Sequence, residues 1–60
     1  MIKEQDIKDL YQVEGFLGGL SCLMVDWKLD ETAHSIELTR VSLANIIDRL
    51  EKEYEHERGT

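Results

Sequence analysis

The sequence predicts an all-α protein: an antiparallel two-helix hairpin, with helices at about residues 5–27 and 31–56, that dimerises into a four-helix bundle. Three observations lead to this prediction. The 60-residue chain contains no proline. Its apolar residues recur every three or four positions in two separate runs, as they do on one face of an α-helix. The stretch from Gly15 to Val25 is uncharged in a chain that is 33% charged, so we expect the core to be centred there.

The first helix is predicted from an apolar stripe with spacings of 3, 4, 3, 4 and 3. Its members are Leu10, Val13, Leu17, Leu20, Met24 and Trp27, and Phe16 and Leu23 widen it. Asp6 is the expected N-cap, because a short acidic side chain satisfies free backbone N–H groups and suits the positive end of the helix dipole.

Three glycines, Gly15, Gly18 and Gly19, argue against this helix. Each glycine inside a helix costs up to about 1 kcal/mol relative to alanine. Two interpretations remain open. The helix breaks near Gly18 into two short helices or, as we prefer, packing keeps it continuous and the glycines allow another backbone to approach closely.

The second helix follows a tight connection at residues 29–32, where Asp30 or Thr32 can act as the cap. A second stripe then runs with alternating spacings of 3 and 4. Its members are Ala33, Ile36, Arg40, Leu43, Ile47, Leu50 and Tyr54. Residues 1–60 are predicted to form a single domain, whose charged C-terminal end frays from about residue 51.

The two stripes also predict the register of the hairpin. Helices joined by a short connection lie antiparallel, and stripe residues whose numbers add up to 60 then face each other, for example Met24 and Ile36. The predicted hairpin core consists of Leu10, Val13, Leu17, Leu20, Met24, Trp27, Ala33, Ile36, Leu43, Ile47 and Leu50. Arg40 falls opposite Leu20, so it either reaches water at the edge of the core or pairs with a carboxylate, Glu14 or Asp26.

A second, smaller set of apolar and small residues lies away from this predicted core. It is the predicted homodimer interface, made of Ile7, Tyr11, Gly15, Gly18, Cys22, Val25, Leu38 and Val41. A chain this short is marginally stable alone and usually needs a disulfide, a metal or a partner subunit. Since Cys22 is the only cysteine, a partner subunit is the expected solution. In size and hairpin plan the chain resembles small dimeric bundle proteins of the Rop type, in architecture only.

Charge and composition restrict the partners. The net charge of −6 argues against nucleic acid and against anionic membrane surfaces, both of which need clustered basic residues. The apolar stretch is much shorter than the roughly 20 residues of a membrane helix. A single thiol and a charged N-terminus without a signal-peptide pattern predict a cytoplasmic protein.

Chemical motifs are scarce. The pairs Glu31 with His34 and Glu53 with His56 have a spacing used in di-iron bundles, but both lie on one predicted helix, so only a dimer could assemble a metal–carboxylate site. Cys22 has no expected base beside it and is interpreted as a packing residue. We therefore expect no catalytic residues, no cofactor and no enzymatic activity.

The sequence thus favours a small non-enzymatic protein–protein interaction module, an adaptor, regulator or small inhibitor, that acts as a homodimer and binds a further protein. One alternative is an acidic inhibitor that mimics nucleic acid and blocks a DNA- or RNA-binding protein. The other is the metal–carboxylate site assembled by a dimer.

Overall fold

Two antiparallel helices form the structure, a computed structural model that describes residues 2–59. Helix α1 spans Glu4–Asp26 and helix α2 spans Asp30–Gly59. The two helices pack against each other, and the molecule is a rod with extents of 49 × 16 × 12 Å. The predicted helical hairpin is confirmed.

Helix α1 runs without interruption through Gly15, Gly18 and Gly19, which confirms the continuous helix and not the broken one. It begins one residue before the expected start. Lys3 occupies the N-cap position, and its backbone N–H donates to the carboxylate of Asp6 at 3.4 Å. Asp6 therefore lies within the first turn and is not the N-cap, although its charge still suits that end of the helix.

The connection between the helices consists of residues 27–29 and begins two residues before the tight connection expected at residues 29–32. The backbone N–H of Lys28 donates to the carbonyl of Val25 at 2.9 Å, and that of Leu29 donates to the carbonyl of Met24 at 2.8 Å. These are the two hydrogen bonds of a Schellman motif, in which the residue after the C-cap adopts a left-handed conformation. Lys28 is that residue, with φ of 60°.

Replacing Lys28 by glycine is expected to stabilise the hairpin. A left-handed backbone costs a non-glycine residue roughly 1–2 kcal/mol, part of which is offset by the greater freedom of glycine in the unfolded chain. We expect Lys28→Gly to raise the free energy of unfolding by about 0.5–1 kcal/mol, measured by urea titration. Lys28→Ala is the matched control, since it removes the same charge but keeps the Cβ, and it should give no comparable gain.

Helix α2 begins at Asp30, so neither Asp30 nor Thr32 precedes it as a cap. The backbone N–H of Ala33 donates to the carbonyl of Leu29 at 2.9 Å, which closes the first turn. At the other end α2 continues to Gly59, three residues beyond the expected end. An ion pair one helical turn apart, Lys52 Nζ to Asp48 Oδ2 at 3.0 Å, is of the kind that supports an exposed charged helix.

On α2, every member of the predicted stripe is buried or half-buried, and Glu37, Ala44 and Glu51 are half-buried beside them. Ala33 and Ile47 are buried, and the other members are half-buried: Ile36, Arg40, Leu43, Leu50 and Tyr54. Among the described residues, Ile47 has the most completely buried large side chain, at 1% exposed.

The face of α1 that contacts α2 differs from the predicted stripe. Its buried and half-buried residues are Ile7, Leu10, Glu14, Leu17, Gly18, Ser21 and Met24. Three residues predicted for the hairpin core, Val13, Leu20 and Trp27, are instead exposed. At about 100° per residue, the observed face is turned by about 70° from the predicted one.

Two polar residues lie on the observed contact face of α1. Ser21 is buried, and its hydroxyl donates to the carbonyl of Ala33 at 3.1 Å across the helix pair. Glu14 is half-buried and forms an ion pair with Arg40. Both polar groups thus find partners at the contact between the helices, so burying them is tolerated, and the more apolar flank of α1 is left outside.

Candidate protein interface

One side of the hairpin is held by polar contacts that centre on Arg40. Its Nη1 lies 3.2 Å from Oε2 of Glu14 on α1, and its Nε lies 3.0 Å from the carboxylate oxygens of Glu37 on α2. The guanidinium lowers the pKa of Glu37 by hydrogen bonding, and the two carboxylates raise the pKa of Arg40. Of the two arrangements considered for Arg40, pairing with Glu14 is the one observed.

Tyr11 extends this polar side towards the open end of the hairpin. Its hydroxyl donates a hydrogen bond to a carboxylate oxygen of Glu51 on α2. Ionising the tyrosine would remove the donated proton and place two negative charges together, so this contact raises the pKa of Tyr11. We call the side that carries Glu14, Arg40, Tyr11 and Glu51 the ion-pair side.

The opposite flank of α1 carries a continuous exposed apolar stripe. Its spacings are 4 or 3 residues throughout, so the side chains share one helix face. We call it the apolar face, and it consists of Val13, Phe16, Leu20, Leu23 and Trp27. Exposure along it ranges from 41% at Leu23 to 69% at Phe16.

Helix α2 adds Ile46 to this flank. Ile46 is 42% exposed, and helical periodicity places it beside Leu43 and Leu50, on the flank of α2 away from Glu37 and Glu51. In an antiparallel pair the apolar face and Ile46 therefore border the same side of the hairpin. Single exposed apolar residues are ordinary, whereas a row of large ones along one side is typical of an interaction surface.

The residues predicted for the dimer interface do not form one open surface in the single chain. Ile7 is buried in the hairpin, and the position of a Cβ on Gly18 would be 3.4 Å from Cδ of Arg40. Tyr11 is hydrogen-bonded to Glu51 although it is half exposed. The others are exposed: Gly15, Cys22, Val25, Leu38 and Val41.

The sequence contained a signal for the apolar face, but it was assigned differently. Hydrophobic spacing assigns Val13, Leu20 and Trp27 to the predicted core, and Phe16 and Leu23 only widen that stripe. The same five residues form a stripe of their own. Leu10, Leu17 and Met24 belong by angle both to the predicted stripe and to the observed contact face of α1. Hydrophobic spacing alone therefore does not decide which of these two faces packs against α2.

Possible metal ligands, clefts and helix lengths complete the description of residues 2–59. Within residues 2–59, no three His, Cys, Asp or Glu side chains are grouped so that they could hold a metal ion. A shallow cleft of about 270 Å³ opens between Ile7, Tyr11 and Tyr54 at the open end of the hairpin. Neither described helix is both long enough and apolar enough to cross a membrane.

Comparison with known proteins adds no relative to this picture. No family model matches the chain, and neither a curated protein nor a solved structure matches it. The apolar face of α1 is therefore the candidate functional surface on its geometry alone.

Proposed function

We propose that this protein is a non-enzymatic protein–protein interaction module that acts as a homodimer, in which two hairpins form a four-helix bundle. The observation that carries the proposal is the imbalance between buried and exposed apolar residues. Within residues 2–59 the buried apolar residues are Ile7, Ala33 and Ile47, whereas eleven large apolar side chains are exposed. A core this small supports a marginal fold at best, and association is the usual way in which short chains enlarge it.

The accessible area supports the same conclusion. The chain exposes 4770 Å², whereas a compact folded protein of 7.0 kDa exposes about 4,000 Å². The excess of about 770 Å² is close to the roughly 800 Å² that each partner buries in a standard-sized protein interface. A second copy of the chain can cover an excess of this size.

A dimer of this kind would present an acidic exterior to further partners. Each chain contributes a net charge of −6, so we propose that the dimer binds a protein with a complementary basic surface. Mimicry of nucleic acid is less favoured, because cations interrupt the acidic residues along the helices, as in the pairs Lys8 with Glu4 and Lys52 with Asp48.

The mass of the protein in solution tests the dimer. By sedimentation or light scattering over a wide concentration range, we expect a species of about twice the 7.0 kDa of one chain. The fraction of this species should fall on dilution, as mass action requires. A folded protein that stays at the mass of one chain at every concentration would contradict the proposal.

A further inference from the structure

We infer that the apolar face is covered by the same face of a second copy, with the two α1 helices antiparallel and Leu20 of each copy close to the two-fold axis. This inference rests on the proposed homodimer and adds the contacting face and the orientation of the chains. The first argument for a second copy is the excess accessible area of each chain, which is about what one partner buries in a standard interface.

The second argument is the symmetry of the apolar face. Val13 lies seven residues before Leu20, and Trp27 lies seven residues after it. Phe16 and Leu23 lie four residues before and three residues after it. A two-fold axis across α1 near Leu20 would therefore set apolar residues opposite apolar residues along the whole face. The smallest end residue, Val13, would meet the largest, Trp27, which is a favourable combination for packing.

The charge at one end of the stripe favours the antiparallel orientation. Asp9 lies four residues before Val13 and continues the same helix face. In a parallel pair, Asp9 of each copy would lie opposite Asp9 of the other at the edge of an apolar contact, where like charges repel and are costly to remove from water. In the antiparallel pair the two Asp9 residues lie at opposite ends of the interface. Only the halves of α1 nearest the connection overlap, and the charged open ends remain in water.

This arrangement also assigns positions to the two helices. Helix α1 contacts α2 of its own chain through one flank and the second copy through the apolar face. It is thus the inner helix, and Ile46 of α2 borders the contact. The ion-pair side faces outwards. The interface predicted from the sequence, centred on Gly18 and Cys22, lies on the flank of α1 that does not contact the second copy.

Cysteine cross-linking distinguishes the orientations. In a Cys22→Ser background, we expect Leu20→Cys to form a disulfide-linked dimer under mild oxidation. A mixture of the Val13→Cys and Trp27→Cys proteins should give the mixed cross-link, and neither protein alone should cross-link to itself. In the antiparallel pair, residue 13 of each copy lies seven residue rises, about 10.5 Å, from the two-fold axis, so the two copies of residue 13 lie about 21 Å apart. This distance is far beyond the roughly 7 Å limit between the Cα atoms of a disulfide.

A charge substitution tests the face independently of cross-linking. Leu20→Glu should weaken dimerisation roughly 100-fold or more, because it places a charge without a partner in the centre of the contact. Leu38→Glu is the matched control. Leu38 is 55% exposed on the part of α2 that faces away from α1, and its substitution should change the dissociation constant by less than about threefold. Helix content by circular dichroism checks that both variants fold.

The outcomes separate this inference from the proposed function. A dimer that gives the mixed cross-link and is weakened by Leu20→Glu supports both. A dimer in which Val13→Cys and Trp27→Cys each cross-link to themselves is parallel and overturns the inferred orientation only. A dimer that is weakened by Leu38→Glu but not by Leu20→Glu uses another face and overturns the inference only. A folded monomer overturns the proposed function and this inference together.

Discussion

Ile47→Ala is expected to unfold much of the protein. Ile47 is 1% exposed and lies on the face of α2 that contacts α1. Removing a buried isoleucine side chain to alanine typically costs 2–5 kcal/mol through lost burial and the cavity left behind. A domain of 60 residues is stabilised by about 3–9 kcal/mol in total. This one substitution therefore removes a large part of the free energy of unfolding. We expect a large loss of the helical circular dichroism signal at 37 °C and a much lower urea midpoint.

The neighbouring isoleucine provides a matched control. Ile46 is 42% exposed, so Ile46→Ala makes the same chemical change one residue away and should cost less than about 1 kcal/mol. Ile47→Val removes a single methylene and should cost about 0.5–1.5 kcal/mol, which keeps the protein folded and measurable. Because Ile46 borders the proposed dimer contact and association adds to apparent stability, all variants are compared at a concentration below that at which the protein dimerises. Equal losses for Ile46→Ala and Ile47→Ala would contradict the central position of Ile47.

Helix α2 shows how far hydrophobic spacing predicts this fold. The stripe that runs from Ala33 to Tyr54 is buried or half-buried in the structure. The single charged residue within it, Arg40, finds Glu14, one of the two carboxylates expected for it. The helical class, the hairpin and the helix boundaries to within about three residues follow from the same spacing and from the absence of proline.

Helix α1 shows why the packing face could not be predicted in the same way. The contact face includes Glu14 and Ser21, which are polar and therefore do not belong to any apolar stripe. Their burial depends on partners from α2: the guanidinium of Arg40 and the carbonyl of Ala33. Such partners are known only once the two helices are placed together. The most apolar stripe of α1 was therefore assigned to the hairpin, whereas the structure leaves Val13, Leu20 and Trp27 outside.

Replacing two glycines of α1 by alanine is the second change with a large expected effect, a gain in stability. Gly15 and Gly19 lie in the interior of a continuous helix, and a Cβ added at either position meets no atom within 4 Å. Alanine has less freedom to lose on folding and is about 0.5–1 kcal/mol more favourable than glycine inside a helix. We expect the double variant Gly15→Ala with Gly19→Ala to raise the free energy of unfolding by about 1–2 kcal/mol, measured by urea titration.

Gly18→Ala is the control, because Gly18 has a neighbouring side chain whereas Gly15 and Gly19 are surrounded by open space. A Cβ on Gly18 would lie 3.4 Å from Cδ of Arg40, whose side chain is fixed by its ion pairs with Glu14 and Glu37. The gain in free energy of unfolding from Gly18→Ala should therefore be smaller than the gain from either Gly15→Ala or Gly19→Ala.

The glycine variants also test how the two copies contact each other. If another backbone approached α1 closely at Gly15, the single variant Gly15→Ala would introduce a methyl group into that contact and weaken dimerisation. If the copies meet through the apolar face instead, Gly15→Ala should be more stable and dimerise as before, because Gly15 lies about 120° around α1 from the centre of that face. Gly19 borders the apolar face, three residues after Phe16 and four before Leu23, so its variant tests stability only.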